Sequence, residues 1–161
     1  MLKKIFFAVL LLTAFAACKS RKAFDYSQDF VKKEQSLLPD INRTEANVKN
    51  YMANEQYDSM AIAGENMEKL VDIKIKEIKD KPAPDAKEGE NFKEAGIRYF
   101  LFIKSMYASY KDYGNAKTPE ARTVEMNKII AIANKKTAAI ADMQRVQKSF
   151  ADANGFKLES K

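Results

Sequence analysis

Phe92-Lys93-Glu94-Ala95-Gly96-Ile97-Arg98-Tyr99-Phe100-Leu101-Phe102-Ile103-Lys104-Ser105-Met106-Tyr107-Ala108-Ser109-Tyr110-Lys111-Asp112-Tyr113-Gly114 is the stretch that decides the fold. Phe92, Gly96, Tyr99, Ile103, Met106, Tyr110 and Tyr113 advance by alternating steps of four and three, the spacing of one buried stripe on an α-helix. Phe100 and Tyr107 widen the stripe. The expected structure is a helix of about six turns. Phe92, Tyr99, Ile103, Met106 and Tyr110 are its expected core seam, and Gly114 its expected left-handed stop.

The flanks follow the same logic. Thr118-Pro119-Glu120 opens a fourth helix with a capping hydroxyl, a proline that needs no donor, and an acidic first turn. Ile129, Ala133, Ile140, Met143 and Phe150 are expected to line one face of it. Asn154-Gly155 ends it, and Phe156 is placed to fold back in a Schellman turn. Upstream, Met60, Gly64, Met67, Val71 and Ile78 carry a second helix, with Asp58 as its expected N-cap and Tyr57 and Ile62 as a staple. Lys81-Pro82-Ala83-Pro84-Asp85 stops it. The first helix, over residues 27–53, buries Phe30, Leu37, Ile41, Val48 and Met52, with Glu34 filling one gap. Pro39 falls inside it, but the register is unbroken from Leu37 to Val48, so one kinked helix is expected. Only 5 glycines and 4 prolines leave little material for the turns of a strand architecture. These features predict an all-α, up-down-up-down four-helix bundle over residues 27–157, following an N-terminal signal segment.

Residues 1–17 carry an address. Lys3 and Lys4 precede a run, Ile5 to Ala17, with no charge. Such a run spans only ~20 Å as a helix, short of a ~30 Å hydrocarbon core, and reads as a secretion signal. Two cleavage readings compete. Ala14-Phe15-Ala16 fits an ordinary signal-peptidase site, whereas Phe15-Ala16-Ala17-Cys18 resembles the lipobox of bacterial lipoproteins, with Phe15 where leucine is usual. Cys18 is the only cysteine in the chain, so it has no internal disulfide partner. The lipobox resemblance implies acylation of Cys18, with residues 18–26 as lipidated cysteine and tether. The implied partner is membrane lipid. Lys19, in place of the aspartate that often retains lipoproteins in the inner membrane, tilts the expected destination to the outer membrane. The domain would then face the periplasm or the medium.

Chemistry-bearing motifs are sparse. The chain has no histidine, which removes the commonest general base and the usual metal ligand. Glu34 and Glu45 fall near the apolar face of the first helix, and Glu65 and Glu68 beside that of the second. Di-iron bundles need Glu-x-x-His pairs, so these carboxylates read as solvated or bundle-edge acids. Six methionines from Met52 to Met143 sit at helical spacing and read as core fillers. The tyrosines of the third helix are expected in the core with their hydroxyls surfacing. No catalytic, cofactor-binding or metal-ligating residue is expected, and no nucleic-acid partner; the formal charge of +6 is spread among both signs.

With Cys18, Arg98-Tyr99-Phe100 through Tyr110, and Gln147-Lys148-Ser149-Phe150-Ala151-Asp152-Ala153-Asn154-Gly155-Phe156, the chain resembles a family of small helical surface lipoproteins of diderm bacteria, of Bacteroidetes and spirochaete type. The resemblance covers about residues 24–157 and implies no established activity. The expected function is therefore a lipid-anchored cell-envelope bundle, coiled-coil-like in its packing, acting as a binding or structural module for a partner the sequence does not name. A carrier of a small apolar ligand between the helices and a carboxylate-based envelope enzyme are the alternatives.

Acylation is directly testable, because one acyl chain anchors marginally and a second makes anchoring stable. Cells fed labelled palmitate should incorporate it into the protein. Cys18→Ala should abolish the label and release the protein from the membrane fraction. Label that survives the substitution overturns the lipoprotein reading.

Overall fold

The computed structural model describes the backbone of residues 2–158 and the side chains of residues 20–158. The signal segment and Cys18 lie outside the described side chains. Five helices follow in order: α1 (Leu2–Ala53), α2 (Tyr57–Asp80), α3 (Gly89–Asn115), α4 (Pro119–Ala133) and α5 (Lys136–Asn154). They form the expected bundle, with α4 and α5 sharing the fourth arm. Side-chain pairs fix the directions. Asp29 and Lys33 of α1 meet Lys81 and Glu77 at the far end of α2, so those helices are antiparallel. Phe92 of α3 stacks on Phe150 of α5 at 4.7 Å, which sets that pair antiparallel as well.

α1 passes through Pro39 without interruption. The proline is exposed, so the carbonyl it leaves unpaired faces water. Its buried face is Ala23, Tyr26, Phe30, Leu37 and Val48, with Ile41 and Met52 half-buried. The packed face begins at Ala23, four residues ahead of the expected boundary at 27. On α2, Met60, Gly64, Met67, Val71 and Ile78 are all buried, joined by Ile75.

Four local expectations are corrected. Asp58 is not the cap of α2: the helix begins at Tyr57, Gln56 holds the cap position without a side-chain bond, and Asp58 sits in the first turn. Ile62 is exposed, so there is no staple with Tyr57. Gly114 does not end α3; the helix continues to Asn115 and Ala116 caps it in extended geometry. The fourth arm is not one helix, because a tight turn at Asn134-Lys135 separates α4 from α5, with the Lys135 amide donating to Ile132 three residues back. At the C-terminal end the expectation holds. Gly155 adopts φ +71°, the Phe156 amide donates to the Ala151 carbonyl, and the Phe156 ring meets Phe150 and Phe24 edge-on. Thr118 likewise caps α4, its hydroxyl accepting from the Ala121 amide.

Glycine sets the closest contact in the bundle. A Cβ on Gly64 would lie 2.7 Å from the Lys111 nitrogen and from the Tyr107 carbonyl oxygen of α3. One on Gly114 would lie 2.6 Å from the Ala61 nitrogen of α2, and closer still to the Tyr57 oxygen. Backbone therefore meets backbone at two neighbouring points where the start of α2 crosses the end of α3, and neither site can yield by turning a side chain. In an exposed helix interior, Gly→Ala gains up to about 1 kcal/mol from propensity. Gly114→Ala should instead destabilise by ~1–3 kcal/mol through overpacking. A urea midpoint that rises in this variant would show that the seam is looser than described.

Candidate functional site

α3 turns one face to α2 and the other toward α1 and α5, and the two faces differ. Phe92, Phe100, Tyr107 and Tyr110 are buried. Tyr99, Ile103 and Met106, expected in the same seam, are only half-buried. They line a cavity of about 300 Å³ between α1, α3 and α5. Its walls are Leu38, Ile41 and Glu45 from α1, Tyr99, Phe102, Ile103, Met106 and Tyr107 from α3, and Lys136 and Ile140 from α5. The size lies at the lower end of small-molecule sites, and the lining is mostly apolar with a few polar groups. By contrast, the cavity beside Tyr26, Phe30 and Phe92 encloses only about 10 Å³, so the aromatic end of the core is filled.

The polar groups at the slot are ordered in a repeat. Tyr99 donates its hydroxyl to Glu34 at 2.6 Å, and Tyr110 donates to Glu45 at 3.1 Å. Both partners are separated by 65 residues. Glu34 and Glu45 are eleven residues apart on α1, as are Tyr99 and Tyr110 on α3. Because the two helices run parallel, the same bond recurs three turns further on, ~16 Å along the axis. Leu38 and Ile41 lie between the carboxylates on the same face of α1.

Electrostatics around the slot stand apart from the rest of the bundle. Across α2–α3, Lys104 holds Asp72 at 2.7 Å and Lys111 holds Glu68 at 2.6 Å. Across α1–α2, Lys33 reaches Glu77 at 3.3 Å, and across α3–α5, Arg98 reaches Asp142 at 3.5 Å. Among the described residues, neither Glu34 nor Glu45 pairs with a basic side chain; tyrosine hydroxyls take that place. Burial, and after it the carboxylates, push Tyr99, Tyr107 and Tyr110 well above the ordinary tyrosine range, with Glu34 acting on the first and Glu45 on the other two. Burial, with Asp29 and Glu90 behind it, raises Tyr26 to about 12.

The structure does not bring Glu34 and Glu45 together as an acid–base pair, since three turns of α1 separate them. Glu65 and Glu68 lie elsewhere, paired with Lys69 and with Lys104 and Lys111. Among the described residues no group of three or more His, Cys, Asp or Glu is placed to hold a metal ion. A second concavity of about 500 Å³ opens at the α1–α2 turn, lined by Glu55, Tyr57, Tyr113 and Arg122. The Arg122 guanidinium covers the Tyr57 ring at 3.7 Å, so that aromatic face is already taken by a cation. Sequence reasoning placed Glu34 and Glu45 beside the apolar face but gave Leu38, Lys136 and the slot itself no role. The available signal was the eleven-residue spacing shared by the two glutamates and the two tyrosines. No protein-family model, curated protein or solved structure matches the chain.

The tyrosines make stability pH-dependent on the alkaline side. Unfolded tyrosine ionises near pH ~10, whereas Tyr26, Tyr99, Tyr107 and Tyr110 keep their protons to higher pH in the fold. Their contribution is complete below pH ~10 and falls as pH climbs through the folded values, because the unfolded state then binds fewer protons. Lysines act in the same direction, so Tyr107→Phe is the control and should flatten the slope. A urea midpoint that does not fall between pH ~9 and ~11.5, or an equal slope in Tyr107→Phe, would contradict this account.

Proposed function

We propose that this protein is a lipid-anchored cell-envelope bundle that acts as a binding module, and that the slot between α1, α3 and α5 is where it binds. The anchor is acylated Cys18, holding the domain at the outer membrane on its periplasmic or outer face, in line with the resemblance to small helical surface lipoproteins. The observation that supports binding is the cavity of about 300 Å³, walled by Leu38, Ile41, Phe102, Ile103, Met106 and Ile140. A bundle serving only as structure gains from covering the apolar surface that such an open slot leaves to water, at about 25 cal/mol per Å². Its apolar walls suit a ligand with an apolar body. The enzyme alternative draws no support from Glu34 and Glu45, which stand too far apart to act on one bond.

A neutral decyl alcohol carrying a photoreactive diazirine tests the reading. With the protein purified as its host processes it, the label should fall on the peptide spanning Phe102 to Tyr107. Ile103→Trp, which fills the slot, should abolish that label while helicity by circular dichroism is retained. Labelling spread evenly over exposed helix faces, or unchanged in Ile103→Trp, would leave the slot without a ligand.

A further inference from the structure

The slot's polar groups carry a sign. Glu34 and Glu45 bracket it at a separation of three helical turns, and each takes a tyrosine hydroxyl instead of the lysine or arginine that other interhelical carboxylates take. This is in a chain with 28 basic and 22 acidic residues, where cations are in excess. A tyrosine hydroxyl orients a carboxylate through one hydrogen bond but leaves its charge unneutralised. Two carboxylates without a basic partner therefore flank an apolar wall, Glu34 half-buried and Glu45 open to water.

The rings supply the second half of a cation site. Tyr99, Phe102 and Tyr107 line the slot, and Tyr107 packs edge-on against Tyr110 at 5.8 Å. Aromatic faces attract cations through the ring quadrupole, and more strongly where water is excluded. A tyrosine whose hydroxyl donates to a carboxylate keeps more electron density on its ring, so the Tyr–Glu pairing and the ring act in the same sense. Lys136 is the one cation in the lining. It is exposed in the first turn of α5, where its four-carbon stem can carry the ammonium out to water.

We propose that the slot takes a lipophilic organic cation, a linear molecule with an apolar chain along Leu38, Ile41 and Ile103 and a protonated amine or quaternary ammonium at Glu45. This rests on the binding role proposed above and adds the ligand's charge. Glu34 offers a second pole at the far end, so a chain bearing an amine at each end would meet both carboxylates.

The test uses the same photoreactive decyl alcohol as reporter and three chain-matched competitors, all below their micellar concentrations. Decyltrimethylammonium should displace the reporter about tenfold more effectively than decanol, and decanol more effectively than decanoate, tenfold being worth about 1.4 kcal/mol. Glu45→Gln should bring the ammonium compound down to the level that decanol shows in the same variant. Decanoate competing as well as the ammonium compound would overturn the inference, as would an ammonium preference that survives both Glu45→Gln and Glu34→Gln. Equal competition by all three overturns the charge assignment but leaves the binding slot standing. No labelling of the slot by the reporter removes both.

Discussion

The contact on which the rest of the bundle depends is the backbone approach of α2 to α3 at Gly64 and Gly114. Helix axes ordinarily stand 8–10 Å apart because side chains separate them. At these two positions no side chain intervenes, and the space a Cβ would occupy already belongs to the Lys111 and Tyr107 backbone in one case and to Tyr57 and Ala61 in the other. The two points lie within about two turns of each other, where the start of α2 meets the end of α3, so they clamp the spacing of the two helices at that end. Along α3, Phe100 and Tyr107 enter the core, and Tyr99, Ile103 and Met106 are directed toward α1 and α5. The half-buried stripe thus lies on the face of α3 turned away from its close contact with α2.

Charge pairing follows from that arrangement. Where α3 lies close to α2, Lys104 and Lys111 reach Asp72 and Glu68 across a short gap, and these half-exposed pairs contribute at most about 1 kcal/mol each. Where α3 faces α1, tyrosine–carboxylate bonds span the opening at two points and hold it apart as well as together, because each Tyr–Glu reach is longer than an aliphatic contact. The bonds at Glu34 and Glu45 are charge-assisted, the stronger class of hydrogen bond, and their recurrence after eleven residues braces the slot at both ends.

Much of this architecture was legible in the sequence, and the failures have definite causes. Periodicity found α1, α2 and α3 and ran α4 and α5 together as one arm, and the register across Pro39 correctly outweighed the proline, since an exposed proline loses only a solvated carbonyl. Gly155 was recognisable as a terminator because Asn precedes it and an aromatic follows. Gly114 was misread for the same reason: glycine near a polar stretch looks like a stop, and only the position of α2 shows that it serves close packing. Asp58 looked like a cap from its residue type, but the cap is Gln56, two residues earlier, within the usual variation of such boundaries. The slot was hidden because alternating steps of three and four identify a face, not what lies across from it. Heptad spacing put Ile103 and Phe92 on one stripe. It could not show that Phe92 stacks on Phe150 while Ile103 meets empty space.

The size of that space traces to the fourth arm. Opposite Phe92, α5 supplies Phe150 and Met143, large side chains that close the core. Opposite Phe102 and Ile103 the chain reads Asn134-Lys135-Lys136-Thr137-Ala138-Ala139, with no large apolar residue until Ile140. Residues 134–138 are all exposed, and the turn at Asn134-Lys135 interrupts the helix at the point where a knob would be needed. On the other wall, Leu38 remains 46% exposed, too far from any partner on α5 to be covered. The slot is therefore written in the sequence as missing bulk on α5 set against retained bulk on α1 and α3. Ser20 to Leu38 spans eighteen residues of α1, ~27 Å along the helix. An anchor at Cys18, as proposed above, would therefore lie about that far along α1 from the opening.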